Sequence, residues 1–261
     1  MSATFIILGS GAGPGVPSFF CDCKGCREAR RDIHFARTRS GALIESVDGM
    51  TLIDTSPDLR RQLLKGNITA IDRIFLTHWH YDHFGGLGEL EYYVKLLRRE
   101  PIPLIMPPSA VPQFTAAYPN LTEVFDVQLW EFFQPYELEG LKLTPLPALH
   151  STETAGFLVE TKTKRLAYFP DTAGLPPESA AKLTDLDWFI CDATFHGENW
   201  YPASHMSVTQ AIELGKKIGA KNTALTHLAI HYSQPVTTAE LIAEAACYGA
   251  EVAFDGMRIG L

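Results

Sequence analysis

Four side chains that can bind a metal fall within six residues of the sequence. The run 77–86 reads THWHYDHFGG and contains His78, His80, Asp82 and His83. In an extended segment residues two apart point to the same side, so the first three are predicted to share a face while His83 turns toward a second point. One loop of this kind can supply ligands to two metal ions. A polar loop with ordinary hydrogen-bonded histidines is the alternative, and the density of ligand types disfavours it.

Three further ligand-type residues stand where apolar runs end. His150, Asp171 and His227 each follow a run that is predicted to be a β-strand. Because strands that end at one edge of a sheet place their following loops on a common rim, we expect these side chains to meet the histidine cluster. Two-metal sites hold their ions about 3.5–4 Å apart, and a carboxylate can bridge them. The sequence therefore predicts a two-metal site.

A second cluster of soft ligands lies near the start of the chain. Cys21, Cys23 and Cys26 stand in the run CDCKGC, and the chain has five cysteines in total. An odd count with three so closely spaced favours metal ligation over a disulfide framework, and the spacing is typical of a tetrahedral structural zinc site. We expect His231, the nearest histidine without another assignment, to be the fourth ligand. Buried free thiols or redox chemistry is the alternative.

The composition bounds the class of protein. The chain has 261 residues, 46% hydrophobic and 20% charged, which is enough to bury one large core. Its net charge of −8 argues against a surface that binds a nucleic acid polymer. The first residues show neither a secretory signal nor a membrane span, so we predict a cytoplasmic protein that does not use a membrane. One domain, 1–261, is the simplest division.

The elements that must position these ligands alternate between short β-rich runs and helix-like runs. Strands are predicted at 4–9, 42–47, 51–54, 73–77, 127–132, 141–145, 156–160, 165–169, 188–192, 223–226 and 251–254. Helices are predicted at 58–65, 89–99, 110–118, 177–183, 208–218 and 238–248. So many paired strands fit neither one doubly wound sheet nor an eightfold barrel. We predict an α/β fold of two mixed sheets packed together with helices outside.

The ligand pattern resembles that of the metallo-β-lactamase superfamily. The likeness is carried by THWHYDHFGG together with the later His150, Asp171 and His227. It implies an αββα four-layer sandwich that carries a binuclear hydrolytic site.

The resemblance also implies a role for each ligand. One ion would be held by three histidines: His78, His80 and His150. The other would be held by an aspartate, which would also serve catalysis, and two histidines: Asp82, His83 and His227. Asp171 would bridge the ions beside a water or hydroxide. Asp54, at the strand end LIDT, would orient a ligand histidine, and a plain turn residue is the alternative.

Longer stretches resemble one branch, the PhnP-type cyclic phosphate phosphodiesterases. They are GSGAGPGVPSFFCDCKGC, LKLTPLPALHS, DTAGLP and FDGMRIGL. The likeness implies a small anionic phosphodiester substrate. The first candidate is 5-phosphoribosyl 1,2-cyclic phosphate, which a metal-bridging hydroxide would open to ribose 1,5-bisphosphate. Further candidates are 2′,3′-cyclic nucleotides. It favours Mn²⁺ at the active site, where Zn²⁺ and Fe²⁺ are alternatives, besides one structural Zn²⁺.

Phosphoester hydrolysis also needs a group that holds the phosphate or protonates the leaving oxygen. His205, just before a predicted helix, is the candidate, and PhnP-type enzymes have a histidine in the matching segment. His34 stands among Arg30, Arg31 and Arg37 in a stretch that we expect to be solvated, though these arginines could also meet an anionic sugar phosphate.

Other functions compete with this interpretation. PqqB-like proteins have a similar cysteine cluster, so the chain could be a metal-binding or carrier protein of the same fold. A thioester hydrolase of the superfamily is disfavoured by that cluster, and a tRNA-processing endonuclease by the lack of a basic arm. The sequence leaves the oligomeric state open, including a homodimer.

Overall fold

Two seven-stranded β-sheets form the centre of residues 3–261, which are the residues described by this computed structural model. The first half of the chain supplies most of the first sheet, with strands β1 Thr4–Gly9, β2 Gly41–Ser46, β3 Gly49–Ile53, β4 Arg73–Phe75, β5 Ile102–Met106, β6 Phe125–Leu129 and the C-terminal β14 Arg258–Gly260. The second sheet contains β7 Tyr136–Leu138, β8 Leu141–Pro147, β9 Ala155–Glu160, β10 Arg165–Phe169, β11 Trp188–Asp192, β12 Asn222–Thr226 and β13 Ala250–Val252.

The pairing order brings the carboxyl ends of several strands to one edge. The first sheet runs β14-β1-β2-β3-β4-β5-β6, and β3 to β6 pair in parallel. The second runs β13-β12-β11-β10-β9-β8-β7, and β10 to β13 pair in parallel. Loops that follow neighbouring parallel strands share a rim, which is where α/β proteins place their sites.

Helical segments connect the strands. The α-helices are α1 Lys24–Arg31, α2 Leu59–Gly66, α3 Tyr81–Phe84, α4 Glu91–Tyr93, α5 Val111–Ala117, α6 Pro177–Ala180, α7 Val208–Lys217 and α8 Thr238–Cys247. Tighter 3₁₀ turns lie at Ile33–Phe35, Leu87–Leu90 and Pro108–Ala110, and a π turn lies at Val94–Arg98. Ser207 and Thr237 begin α7 and α8 with capping boxes, which satisfy free backbone N–H groups at these ends.

The first sheet is apolar on both faces, as its continuous hydrophobic runs require. In β1, Phe5 and Ile7 pack between the sheets, whereas Ile6 and Leu8 face the layer of α2 and α5. The outer face of the second sheet packs in the same way against α7 and α8. The order of layers is helix, sheet, sheet, helix, which confirms the predicted fold class.

Several predicted element boundaries are wrong. Three strands were not predicted: β5 contains a proline, which reads as a break, and β7 and β14 are three-residue strands at sheet edges, too short to show periodicity. The strand predicted at 127–132 begins two residues earlier, at Phe125. The helix predicted at 89–99 is a succession of 3₁₀, α and π turns.

Helix α1 was also not predicted, because its sequence KGCREARR has too few apolar residues to show a helical period. It begins inside the cysteine run, where Cys23 is the N-cap and its Sγ accepts a hydrogen bond from the backbone N–H of Cys26 at 3.4 Å. None of the helices within residues 3–261 combines the length and apolar character needed to cross a bilayer.

Candidate metal centre

The seven predicted metal ligands meet at the shared edge of the two sheets. The loop with His78, His80, Asp82 and His83 follows β4 of the first sheet. The other three follow strands of the second sheet, β8, β10 and β12 in turn: His150, Asp171 and His227. Each sheet therefore supplies part of a site that neither could build alone.

Asp171 lies between two groups of ligands. Its Oδ2 is 3.6 Å from His78 Nε2 and 3.7 Å from His150 Nε2. Its Oδ1 is 3.3 Å from His83 Nε2 and 3.1 Å from His227 Nε2. Burial opposes ionisation, but the neighbouring histidines, led by His227 and His83, hold the pKa of Asp171 well below its usual range. An ionised carboxylate thus presents one oxygen to each group.

The first group consists of three imidazoles whose nitrogens converge. His80 Nδ1 lies 2.9 Å from His78 Nε2 and 3.2 Å from His150 Nε2. Burial is the largest cause that lowers the pKa of all three rings, and it favours their neutral forms. A neutral imidazole has the free nitrogen lone pair that metal ligation needs.

The second group contains one carboxylate and two imidazoles. Asp82 Oδ2 lies 3.7 Å from His83 Nε2 and 3.5 Å from His227 Nε2. Asp82 does not share a face with His78 and His80, contrary to the expectation from an extended segment. Helix α3 begins directly after His80. It turns Asp82 and His83 away from the first group and toward His227.

Unsatisfied polar atoms test whether these residues fit metal ions. His83 Nε2, Asp171 Oδ1 and His227 Nε2 are buried and have no hydrogen-bond partner. Such atoms cost free energy unless a ligand satisfies them. Imidazole nitrogens and carboxylate oxygens are ligands of Zn²⁺, Fe²⁺ and Mn²⁺. The residues therefore fit a pair of divalent ions, which the two ligand groups that face Asp171 would hold.

Asp54 holds two of the ligand histidines in place. His83 Nδ1 donates a hydrogen bond to Asp54 Oδ2 at 2.7 Å. The Thr77 hydroxyl lies 2.9 Å from the same oxygen and 2.9 Å from His78 Nδ1. Asp54 has a positive φ of 66°, and such backbone strain is common at functional sites. This is the position expected for a residue that orients ligand histidines.

A glycine lets the two loops approach each other. The Gly86 N–H donates to the Thr55 carbonyl at 2.7 Å, and a Cβ at this position would lie 2.1 Å from the Ser56 carbonyl oxygen. The metal loop can therefore pack against the Asp54 loop only with glycine here.

Asp192, at the end of β11, contacts the candidate site but was not predicted from the sequence. Its Oδ1 accepts hydrogen bonds from the backbone N–H groups of Thr194 at 2.9 Å and Met206 at 3.2 Å. Its Oδ2 accepts one from His205 Nδ1 at 2.7 Å. Thr194 also places its hydroxyl 2.9 Å from His227 Nδ1. The signal was present in the strand end FICDAT, but no role was assigned to its aspartate.

His205 lies beside the ligand cluster, in a cavity of about 210 Å³. One of its ring nitrogens is within 4.8 Å of ligand atoms of Asp171 and His227. Burial disfavours the charged ring, but the hydrogen bond and charge of Asp192 outweigh it and raise the pKa of His205 to about 9. The cavity thus contains a cationic group that can donate a hydrogen bond or a proton.

Aromatic side chains that the sequence did not single out line the same cavity. The ring of Phe195 is 6.0 Å from that of Tyr201 and 5.9 Å from that of Tyr232. They form an apolar wall beside the polar floor, so the cavity can contact the uncharged part of a ligand as well as its anionic part.

The three clustered cysteines form the predicted second site only in part. The Sγ atoms of Cys21, Cys23 and Cys26 lie within 4.8 Å of one another, and all are free thiols. His231 Nδ1 reaches Cys26 Sγ at 3.9 Å, and His231 Nε2 is buried without a hydrogen-bond partner. Three sulfurs with one imidazole fit a tetrahedral zinc ion, although only the cysteines are grouped closely.

Two solved structures share this architecture. A diphosphatase from the PhnP family superposes with a TM-score of 0.86, covering 99% of this chain and 98% of that one at 28% identity. Zn²⁺-bound PqqB from Methylobacterium extorquens superposes with a TM-score of 0.80, covering 99% and 100% at 22% identity, which shows the fold alone.

Two curated proteins are similar in sequence. An octanoyltransferase from Porphyromonas gingivalis is 28% identical over 87% of this chain but only 46% of its own length, so the chain spans about half of that protein. A coenzyme PQQ synthesis protein B from Methylobacterium nodulans is 30% identical over 72% of each chain.

The family described as the beta-lactamase superfamily domain matches residues 50–228. That range contains all seven predicted metal ligands, together with Asp54, Asp192 and His205, and it covers more than half of the chain. This chain therefore belongs to the beta-lactamase superfamily domain family.

Proposed function

We propose that this protein is a binuclear metal-dependent phosphodiesterase that hydrolyses small cyclic phosphodiesters. The first candidate substrate is 5-phosphoribosyl 1,2-cyclic phosphate, which would yield ribose 1,5-bisphosphate, and 2′,3′-cyclic nucleotides are the second. The observation that carries the proposal is the position of Asp171, whose two oxygens face two separate ligand groups. The similarity to a PhnP-family diphosphatase supports phosphoester chemistry.

In this proposal the side chains of the site hold and orient the two ions, and the ions supply the reactivity. When bound, two divalent ions would supply Lewis-acid polarisation of a phosphoryl oxygen and would activate a water near neutral pH. Mn²⁺ is our first candidate, and the ligand atoms also suit Zn²⁺ and Fe²⁺. The ligand rings are held rigidly: His150 Nδ1 donates to the Ser204 carbonyl at 2.8 Å, as His83 does to Asp54. Fixed ligands preorganise the site for charge that develops in the reaction.

His205 completes the proposed machinery. Its ring lines the cavity with Asp171 and is fixed by Asp192, so its proton is presented in a defined direction. A cationic imidazole at this place can hold a phosphate oxygen or protonate the oxygen that leaves.

A second candidate function is metal binding or carriage without turnover. The 30% identity to a coenzyme PQQ synthesis protein B favours it, since that protein also covers 72% of this chain. Complete ligand groups and the fixed histidine beside them favour catalysis instead.

A substrate panel separates the two. Purified protein with Mn²⁺, Zn²⁺ or Fe²⁺ is assayed on 5-phosphoribosyl 1,2-cyclic phosphate, a 2′,3′-cyclic nucleotide and bis(p-nitrophenyl) phosphate. We expect hydrolysis that is abolished by Asp171→Asn and retained by His196→Ala, whose ring contacts Gln234 and Glu244 outside the metal centre. No hydrolysis with any metal would overturn the phosphodiesterase and favour the carrier.

A further inference from the structure

A second and larger cavity adjoins the catalytic one. Its volume is about 440 Å³, and Pro14 lines both cavities. Its walls contain four arginines but a single carboxylate, Asp58. The arginines are Arg30, Arg37, Arg39 and Arg61. In a chain with a net charge of −8, this group is a local reversal of sign.

Arg37 is buried without a direct counter-ion. It is only 4% exposed, and no carboxylate of residues 3–261 lies within ion-pair distance of it. Nη1 donates to Ser10 Oγ at 2.8 Å and to the Ala253 carbonyl, whereas its buried Nε has no partner. The carboxylates of Asp255 and Glu28 act on the charge of Arg37 without an ion pair, and Asp255 already accepts four hydrogen bonds from Ser10 and Thr38.

A buried cation of this kind is costly unless a counter-charge approaches it. Burial lowers the pKa of Arg37 to about 10, so the guanidinium stays charged at neutral pH. Arg37 is one of the residues that line the cavity, and an anion bound there would add a negative charge near it.

The other arginines differ in how far their charge is already neutralised. Arg39 is paired with Asp58 at 3.1 Å and has little charge to offer. Arg30 donates hydrogen bonds to the carbonyls of Ser18 and Cys21 and lies 3.6 Å from the carboxylate of Asp22, so its charge is already partly neutralised. Arg61 makes neither an ion pair nor a side-chain hydrogen bond with the rest of residues 3–261. Arg37 and Arg61 are thus the two arginines of the cavity without an ion-pair partner among residues 3–261.

We infer that this arginine cavity is a second anion-binding site, which takes the phosphate group of an organic phosphomonoester. Guanidinium groups match phosphate oxygens with paired hydrogen bonds and stay charged at any physiological pH. Apolar side chains line the cavity beside the arginines, including Val16, Phe19 and Ile33. They offer contact to the carbon part of the ligand.

Two sources of such a phosphate share this chemistry. It could be a phosphomonoester on the substrate, remote from the cyclic diester, and this version rests on the proposed function. It could also belong to a separate phosphorylated ligand. Because Pro14 lines both cavities, one substrate could extend from the first cavity into the second. The first source is therefore tested with two substrates that differ only in the remote phosphate group.

Binding is measured by calorimetry on the metal-loaded protein, with ribose 5-phosphate as the probe. We expect Arg61→Ala to weaken one binding event at least tenfold. Arg60→Ala is the matched control, because Arg60 is exposed on the same helix but does not line the cavity. If the probe also binds at the metal centre, that second binding event should disappear in the Asp171→Asn variant, which distinguishes it from binding in the arginine cavity. Equal affinities of the Arg60 and Arg61 variants for the probe would overturn the inference.

Kinetics distinguish the two sources. If the substrate supplies the phosphate, Arg61→Ala raises KM for 5-phosphoribosyl 1,2-cyclic phosphate about tenfold and leaves KM for ribose 1,2-cyclic phosphate unchanged. If Arg61→Ala weakens probe binding but changes neither KM, the site serves a separate ligand. If both substrates are hydrolysed and Arg61→Ala changes neither probe binding nor KM, the inference is overturned but the proposed function is not. No hydrolysis of either, nor of a 2′,3′-cyclic nucleotide or bis(p-nitrophenyl) phosphate, overturns the proposed function, and the calorimetry then decides the inference.

Discussion

His205 Nδ1 donates a 2.7 Å hydrogen bond to Asp192 Oδ2, and this contact fixes a cavity histidine that is not among the predicted metal ligands. The carboxylate is itself held by backbone N–H groups of Thr172, Thr194 and Met206. Because the acceptor belongs to the end of a buried strand, the ring direction is set before any ligand arrives. This contact therefore links the second sheet to the chemistry of the cavity.

Replacing His205 should separate catalysis from metal binding. His205→Ala leaves both ligand groups intact, so metal content by elemental analysis should stay unchanged. Turnover of a cyclic phosphodiester should fall by roughly 10²–10⁴-fold, the usual contribution of a positioned acid or base. Turnover equal to that of the unaltered protein would remove the catalytic role of His205.

Neutralising Asp171 should empty the metal centre at least in part. Asp171→Asn keeps the size of the side chain but loses the charge that faces both ligand groups. Elemental analysis should show at least one fewer active-site metal per chain, with the far-UV circular dichroism unchanged. A variant that is folded and fully loaded would contradict the bridging role.

Asp54 should affect metal affinity without touching a metal. Asp54→Asn replaces the carboxyl group that accepts the hydrogen bond of His83 Nδ1 and so weakens the control over ring orientation. We expect metal affinity to fall by roughly 10–100-fold, measured by competition with a chelator of known strength. An unchanged affinity would assign Asp54 a purely structural part.

The cysteine cluster should contribute to stability through zinc. Cys26→Ser should lose one equivalent of zinc per chain and lower the unfolding midpoint by several degrees, as a loss of about 2 kcal/mol does in a protein of this size. Cys247→Ser, an exposed cysteine outside the cluster, is the control and should change neither quantity. A Cys26 variant that retains its zinc would exclude this site.

Asp187 should make stability depend on acid pH. The backbone N–H of Arg165, followed by Lys221 and Lys164, lowers its pKa from 3.8 to about 2. A depressed carboxylate pKa adds stability above the unfolded value, and this stability is lost as pH falls through the folded value. Asp187→Asn should lower the free energy of unfolding by about 1 kcal/mol at pH 7, relative to the unaltered protein. In urea titrations the difference should narrow between pH 4 and 2, and a constant difference would contradict the assignment.

Much of the metal centre could be predicted because ligand types are dense in one short run and recur where apolar runs end. His150, Asp171 and His227 were recognisable from that pattern alone. Two mixed sheets with helices outside were predicted from the number of paired strands, and the four-layer order from the resemblance to the metallo-β-lactamase superfamily.

The direction of each ligand could not be predicted so well. An extended segment would place Asp82 with His78 and His80, but helix α3 turns it toward His83 and His227. Whether a chain extends or turns after His80 depends on packing against the Asp54 loop, which comes from a different strand.

The sequence by itself determined which atoms could bind metal, because side-chain chemistry is a local property. The tertiary structure alone decided which of them are desolvated and what they face. Asp192 became the acceptor of His205 only when β11 ended beside that loop, and Arg37 became a buried cation only when neighbouring loops covered it while Arg61 stayed exposed. Burial and direction depend on residues far apart in sequence, and they set the charge that each group carries into the site.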